Sequence, residues 1–117
     1  MRGISTELLF DYLATEKGFK VLRPVFDNGY DRVIDAGGRL SRVQIKSCGL
    51  KVRNGYRVSV ERHKAADYNT KFDYYAIYLK QQCVWAIVPA RELKGQTVDI
   101  TLTGKYSKYF NNWDVLR

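Results

Sequence analysis

Histidine is almost missing from this sequence. His63 is the only one, and it is accompanied by just two cysteines, Cys48 and Cys83. Three such side chains cannot make a four-ligand zinc site of the usual type. Both cysteines stand in apolar, strand-like runs, and the expectation is a pair of buried thiols in a reducing compartment, with nothing that demands a disulfide. No apolar run approaches the roughly 20 residues of a membrane helix, which excludes a helical span. The N-terminal residues lack the apolar region of a secretory signal, so a cytoplasmic chain with no membrane partner is expected. Internal repeats, low-complexity stretches and linkers are missing as well. Acids are also few, with 12 Asp and Glu against 20 Lys and Arg, for a net charge of +8.

What is present suits one folded unit. At 117 residues, with 45% hydrophobic and 27% charged residues, residues 1–117 make one domain with one core. The basic excess is clustered. Arg39, Arg42, Lys46, Lys51, Arg53, Arg57, Arg62 and Lys64 fall within one stretch in which Glu61 is the only acid. Such a block suits a polyanion, because neutralised phosphates release counterions. The alternative is a solvated basic face. Lys51, Arg53, Arg57, Arg62 and Lys64 are the candidate nucleic-acid contacts, and His63 beside them reads as a surface or contact residue.

Taken in order, residues 4–17 predict an amphipathic helix whose apolar stripe is Ile4, Leu8, Leu9, Tyr12 and Leu13, capped by Ser5 or Thr6 and stopped by Gly18. Glu7 sits in its first turn, where an acid complements the helix dipole whether or not it does chemistry. Residues 19–25 predict a short edge strand near Pro24. Asp27-Asn28-Gly29 is a turn signal. Alternation then predicts strands around Tyr56–Val60, Phe72–Leu79, Cys83–Val88 and Val98–Leu102, with a polar connector from Glu61 to Lys71 and an aromatic terminal helix from Tyr106 to Trp113. A long N-terminal helix, short flanking helices and a mixed sheet make an α/β, or α+β, domain.

The most informative stretch is Tyr30–Cys48, two strands around Gly37-Gly38. With those glycines as the two loop residues of a primed turn, Ala36 faces Arg39, Asp35 faces Leu40 and Asp31 faces Gln44. Side chains alternate between faces, so Asp31, Gln44 and Lys46 share one face while Val43 and Ile45 point to the other. A turn longer by one residue would separate Asp31 from its partners. A carboxylate, an amide oxygen and an ammonium gathered this way suit phosphodiester hydrolysis. Carboxylates hold Mg²⁺, a hard cation that takes oxygen ligands, and a lysine orients or deprotonates water or answers developing charge. Taken singly, Asp31 also reads as a turn residue, and Gln44 and Lys46 as an exposed strand face.

The order helix acid (Glu7), strand acid (Tyr30-Asp31), Gly-containing hairpin, then Gln44-Ile45-Lys46 resembles the PD-(D/E)xK nuclease superfamily, in particular its small homing endonucleases and archaeal Holliday-junction resolvases. The resemblance covers at least Gly3 to Pro89 and extends to the runs YYAIYL and CVWAIVP. It implies a restriction-endonuclease-like core and a metal-dependent DNA endonuclease. Asp31 would be the central metal ligand and Glu7 an assisting one, direct or through water. Gln44 and the Ile45 carbonyl would complete the shell, and Lys46 would act on the nucleophile. Glu7, Asp31, Gln44 and Lys46 are thus the candidate catalytic residues, with Mg²⁺ (or Mn²⁺) as cofactor, no small-molecule organic cofactor, and DNA as partner. Gln44 departs from the family's Asp or Glu and lowers the charge at the metal, which leaves a non-catalytic nucleic-acid-binding module as the rival reading. Asp35, on the same face as Asp31 but nearer the turn, is a lower-ranked substitute ligand. One active site cuts one strand, so a homodimer or larger homo-oligomer is expected, with Tyr106–Trp113 as part of its interface.

Overall fold

The computed structural model describes residues 5–26, 29–49, 51–52, 55–59, 72–93, 97–101 and 103–117. The helix α1 (Thr6–Glu16) opens the described fold. Ser5 caps it, its hydroxyl accepting the Leu8 N–H at 3.2 Å. The face that packs is not the expected one. Phe10 and Ala14 are fully buried, Leu9 and Leu13 flank them, and Leu8 and Tyr12 face solvent. The two stripes differ by about one residue's rotation, and the sheet selects the one in which Phe10 meets Trp85 and Trp113, with ring centroids 5.6 and 5.4 Å away.

Among the described residues eight strands follow: β1 (Lys20–Leu22), β2 (Arg32–Ala36), β3 (Arg39–Cys48), β4 (Lys51–Val52), β5 (Gly55–Ser59), β6 (Tyr74–Leu79), β7 (Val84–Pro89) and β8 (Thr97–Thr101). Five form a mixed sheet in the order β1-β2-β3-β6-β7, with β3 and β6 parallel and the other pairs antiparallel. The others form a small antiparallel sheet, β4-β5-β8, that sequence alone did not separate from the first. Each face of the large sheet has its own core. α1, Ile34, Val43, Ile45, Trp85 and Trp113 fill one. The small sheet covers the other, where Tyr56, Val58 and Ile100 meet Tyr75, Ile77 and Val88. Strands β6 and β7, buried on both faces, read accordingly as unbroken apolar runs.

The hairpin has the expected register, with Ala36 opposite Arg39 and Asp35 opposite Leu40. Gly37 and Gly38 both have positive φ (63° and 100°), which the primed two-residue turn requires. Several expectations need correction. Cys83 is exposed rather than buried: it belongs to the turn before β7 at φ 55°, while Cys48 is buried as read. The first strand stops at Leu22, short of Pro24, whose nitrogen has no hydrogen to donate. The terminal segment is not one helix but two 3-10 turns, Ser107–Tyr109 and Trp113–Leu116. Tyr106 and Trp113 are buried in the chain's own cores, and the partly buried Tyr109 and Phe110 pack against one of them. The predicted connector 61–71 and Leu102 lie outside the described residues. Among the described residues no helix is long and apolar enough to cross a membrane.

Candidate active site at the open end of the hairpin

The hairpin's open end is where β2 leaves the ladder. The ladder's last pair is Arg32 with Val43. One residue earlier, the Asp31 N–H donates to the Val43 carbonyl at 2.9 Å. The Asp31 carboxylate does what the missing strand would have done: Oδ2 accepts the Ile45 N–H at 2.7 Å. Among the described residues Oδ1 has no donor, so one oxygen fixes the side chain and the other is presented. In an antiparallel pair a residue's N–H and C=O aim at the same neighbour, so the Ile45 carbonyl is directed to the Asp31 side as well.

Strand β3 places Gln44 and Lys46 on the face opposite α1, in register with Tyr75 and Ile77 of β6. Both are half-buried, and the Lys46 ammonium stands 6.0 Å from the centre of the Tyr75 ring. Arg32, adjacent to Asp31, is buried on the helix side. Arg32, Val43 and Ile45 thus share the helix side and Gln44 and Lys46 take the other face, while Asp31 lies one residue beyond the ladder's last pair.

Glu7 arrives from the other face. It reaches the site through Arg32, which is 4% exposed. The Arg32 guanidinium donates from Nε and Nη2 to the two Asp11 oxygens (2.7 and 3.1 Å), and from Nη1 to Glu7 Oε1 (3.1 Å) and to the Asp31 carbonyl (2.7 Å). Glu7 and the Asp31 backbone thus share one guanidinium nitrogen. The hydrogen bonds that Arg32 donates to Asp11 are the leading reason that its pKa lies above the ordinary value. Burial opposes the rise, and the charges of Asp11 and Glu7 add to it. Glu7 and Asp31 also line one cavity of about 280 Å³ with Arg23, Val25, Phe26 and Tyr30. Gln44 and Lys46 are not part of its lining.

Arg32 and Asp11 were not singled out from sequence. The available signal was Glu7 and Asp11 four residues apart on one helix face, with an arginine at a core-facing position of β2. Asp35, the substitute ligand, is otherwise employed: its Oδ1 accepts the Gly38 N–H at 2.8 Å and caps the turn. Of the proposed phosphate contacts, Arg57 is exposed but paired with Asp99 at 3.0 Å, and that hydrogen bond raises its pKa. Lys51 stands in β4. Arg53, Arg62, His63 and Lys64 lie outside the described residues.

Among the described residues no three His, Cys, Asp or Glu side chains cluster. A metal here would rest on two carboxylates, Asp31 and Glu7, supplemented by the Gln44 amide oxygen and the Ile45 carbonyl. All are hard oxygen donors, which fits Mg²⁺ or Mn²⁺ and not a thiolate- or imidazole-seeking ion.

A helix acid, a strand-end aspartate and a lysine two residues beyond Gln44 on the paired strand define a restriction-endonuclease-like arrangement. A family model described as PD-(D/E)XK endonuclease matches residues 5–115, and the chain belongs to that family. No curated protein matches the chain at a significant level. Among solved structures, a bacterial homing endonuclease, I-Ssp6803I, is similar over 95% of this chain and 85% of its own, at TM-score 0.77 and 23% identity. The Holliday junction resolvase Hjc of Archaeoglobus fulgidus is similar over 82% of this chain and 80% of its own, at TM-score 0.55 and 16% identity. At these identities the two likenesses establish the fold.

Proposed function

We propose that this protein is a Mg²⁺-dependent endodeoxyribonuclease with Asp31 at its centre, Glu7 and Gln44 assisting and Lys46 acting on the nucleophile. The observation that carries the reading is the divided Asp31 carboxylate, in which one oxygen is pinned to the Ile45 amide and the other is left for a ligand beside the Ile45 carbonyl. When bound, Mg²⁺ would polarise the phosphate and lower the pKa of a water at neutral pH. The chain's own residues do the rest. Asp31 and Glu7 contribute two negative charges, which balance a divalent ion. The neutral Gln44 leaves the site without the surplus charge that an acid there would bring, so the metal is held less tightly but an incoming phosphate is repelled less. Lys46 supplies a fixed positive charge on the face of Asp31 to orient water or answer charge developing on the phosphate.

The substrate is DNA, cut in the manner of a homing endonuclease or at a branched junction, as the names of the two structural neighbours indicate for those proteins. Cutting both strands takes two active sites, and hence a homodimer or larger assembly. Gln44 at the family's acidic position favours a second reading, a DNA-binding module without catalysis. Nicking of supercoiled plasmid and of a four-way junction in Mg²⁺, with Asp31→Ala and Lys46→Ala as controls, separates the two. Nicking lost in both variants is the expected result. Cleavage that survives both sinks the site assignment, and tight binding without cleavage in Mg²⁺ or Mn²⁺ establishes the second reading.

A further inference from the structure

Two of the most exposed apolar side chains described in this protein are neighbours in sequence, and they line the same cavity as Glu7 and Asp31. Val25 is 92% exposed and Phe26 77%. They follow Pro24 in the loop from β1 to β2, with Arg23 beside them on the cavity wall. Leaving a phenyl ring and an isopropyl group in water is unfavourable, and no described residue covers them. Pro24 fixes its own φ and restricts Arg23, which stiffens the base of the loop.

What can meet them follows from what they share: Arg23, Val25, Phe26 and Asp31 line one open cavity of about 280 Å³. A DNA strand with a phosphate at Asp31 therefore runs alongside Val25 and Phe26. There an aromatic side chain meets base edges or base faces, and an exposed apolar pair beside a backbone site has the character of a wedge that enters a base step and partly unstacks it.

We propose that Val25 and Phe26 form an apolar wedge that inserts into duplex DNA at the base step next to the phosphate held at Asp31, with Arg23 against the adjoining backbone. The proposal rests on the reading of the Glu7–Asp31 cavity as the place where a DNA phosphate sits, and does not require that the phosphate be cut. The wedge selects steps that unstack easily, pyrimidine–purine steps above all, so it contributes to specificity without a hydrogen bond to any base.

Insertion unwinds the duplex, and unwinding is measurable without cleavage and without knowing the recognised sequence. Relaxed circular plasmid is incubated with the 117-residue protein in Ca²⁺, a divalent ion that takes the same oxygen ligands, and is re-relaxed by a metal-independent topoisomerase. Linking number is then read on a gel against the amount of protein bound. The wild type is expected to leave a linking deficit that grows with bound protein. Phe26→Ala and the double variant Val25→Ala/Phe26→Ala remove the deficit and weaken binding about 10- to 100-fold, the range for loss of one base–aromatic contact. Phe26→Trp keeps it. Because both side chains lie in solvent, these variants melt as the wild type does, which excludes a folding defect. Binding by the wild type without unwinding, no plasmid binding at all, or equal unwinding by Phe26→Ala overturns the wedge. So does a Phe26→Ala protein that unwinds normally and only loses self-association in sedimentation, because the pair is then a protein interface. Nicking in Mg²⁺ is scored separately. Unwinding without nicking sinks the nuclease reading and keeps the wedge, and nicking without unwinding does the reverse.

Discussion

Replacing Arg32 by alanine should cost this protein much of its stability, and the size of the loss follows from the contacts. The guanidinium makes three hydrogen bonds to carboxylates, at 2.7, 3.1 and 3.1 Å, and one to the Asp31 carbonyl at 2.7 Å. Breaking a fully buried pair costs about 3–5 kcal/mol, because the abandoned charge stays buried. Here the abandoned charges are partly wet, the Asp11 side chain being 22% exposed and the Glu7 side chain 50%, so both regain water. The loss is set instead by the charge-assisted hydrogen bonds, and about 2–3 kcal/mol is expected. For a domain of this length that lowers Tm by about 8–12 °C. Melting is followed through Trp85 and Trp113, both buried beside α1. Arg32→Lys, which keeps the charge but loses the fork to Asp11, should fall between the two. Arg32→Ala melting within about 2 °C of the wild type would refute the view that this guanidinium ties α1 to the start of β2. The pKa of Arg32 is raised, so its contribution is complete below the ordinary arginine value and is lost only as pH rises through the still higher folded value. Alkaline conditions up to about pH 10 should therefore leave it intact.

Three further outcomes follow. Lys46→Ala should slow cleavage by about 10²- to 10⁴-fold while Tm moves by no more than about 2 °C; an unchanged rate would remove Lys46 from the chemistry. Asp35→Ala should lower stability by about 1 kcal/mol through loss of the Gly38 hydrogen bond and leave cleavage untouched. Metal-dependent activity lost in that variant would return Asp35 to the ligand set. Tyr78 is held above the ordinary tyrosine pKa, first by its hydrogen bond with Cys83 and then by burial. The folded protein therefore keeps that proton longer than the unfolded chain, so the stability gained is present below about pH 10 and lost as pH rises through the folded value. In an ultraviolet titration Cys83→Ala should move the Tyr78 midpoint down, and an unmoved midpoint contradicts the assignment.

What could be read from the sequence was what is locally determined. The Gly37-Gly38 turn fixes the register of β2 on β3, and the register fixes which side chains of the two strands share a face, so the pairing of Ala36 with Arg39 and of Asp35 with Leu40 followed from a single hairpin. The features that were not legible depend on docking. Leu8 and Tyr12 fit a helical stripe as well as Phe10 and Ala14 do, and only the ring contacts with Trp85 and Trp113 decide between them. The Arg32 network joins residues separated by 21 and 25 positions, and its existence requires α1 to cross the start of β2. The split into two sheets rests on β5 pairing with β8 far along the chain. Cys83 was misread because the apolar run that begins with it enters the strand one residue later, at Val84.

The central claim is that the charge of Asp31 serves a metal while its hydrogen bond serves the fold. Asp31→Asn separates the two, since the amide oxygen can still accept the Ile45 N–H but the charge is gone. The direct measurement is the single-turnover rate of plasmid nicking by Asp31→Asn across a Mg²⁺ titration, with a melting curve on the same sample. The account predicts a melting temperature within about 3 °C of the wild type, consistent with a change of less than about 1 kcal/mol, and a rate at least about 10³-fold lower that added Mg²⁺ does not restore. Wild-type nicking by Asp31→Asn at the same Mg²⁺ concentration would contradict it.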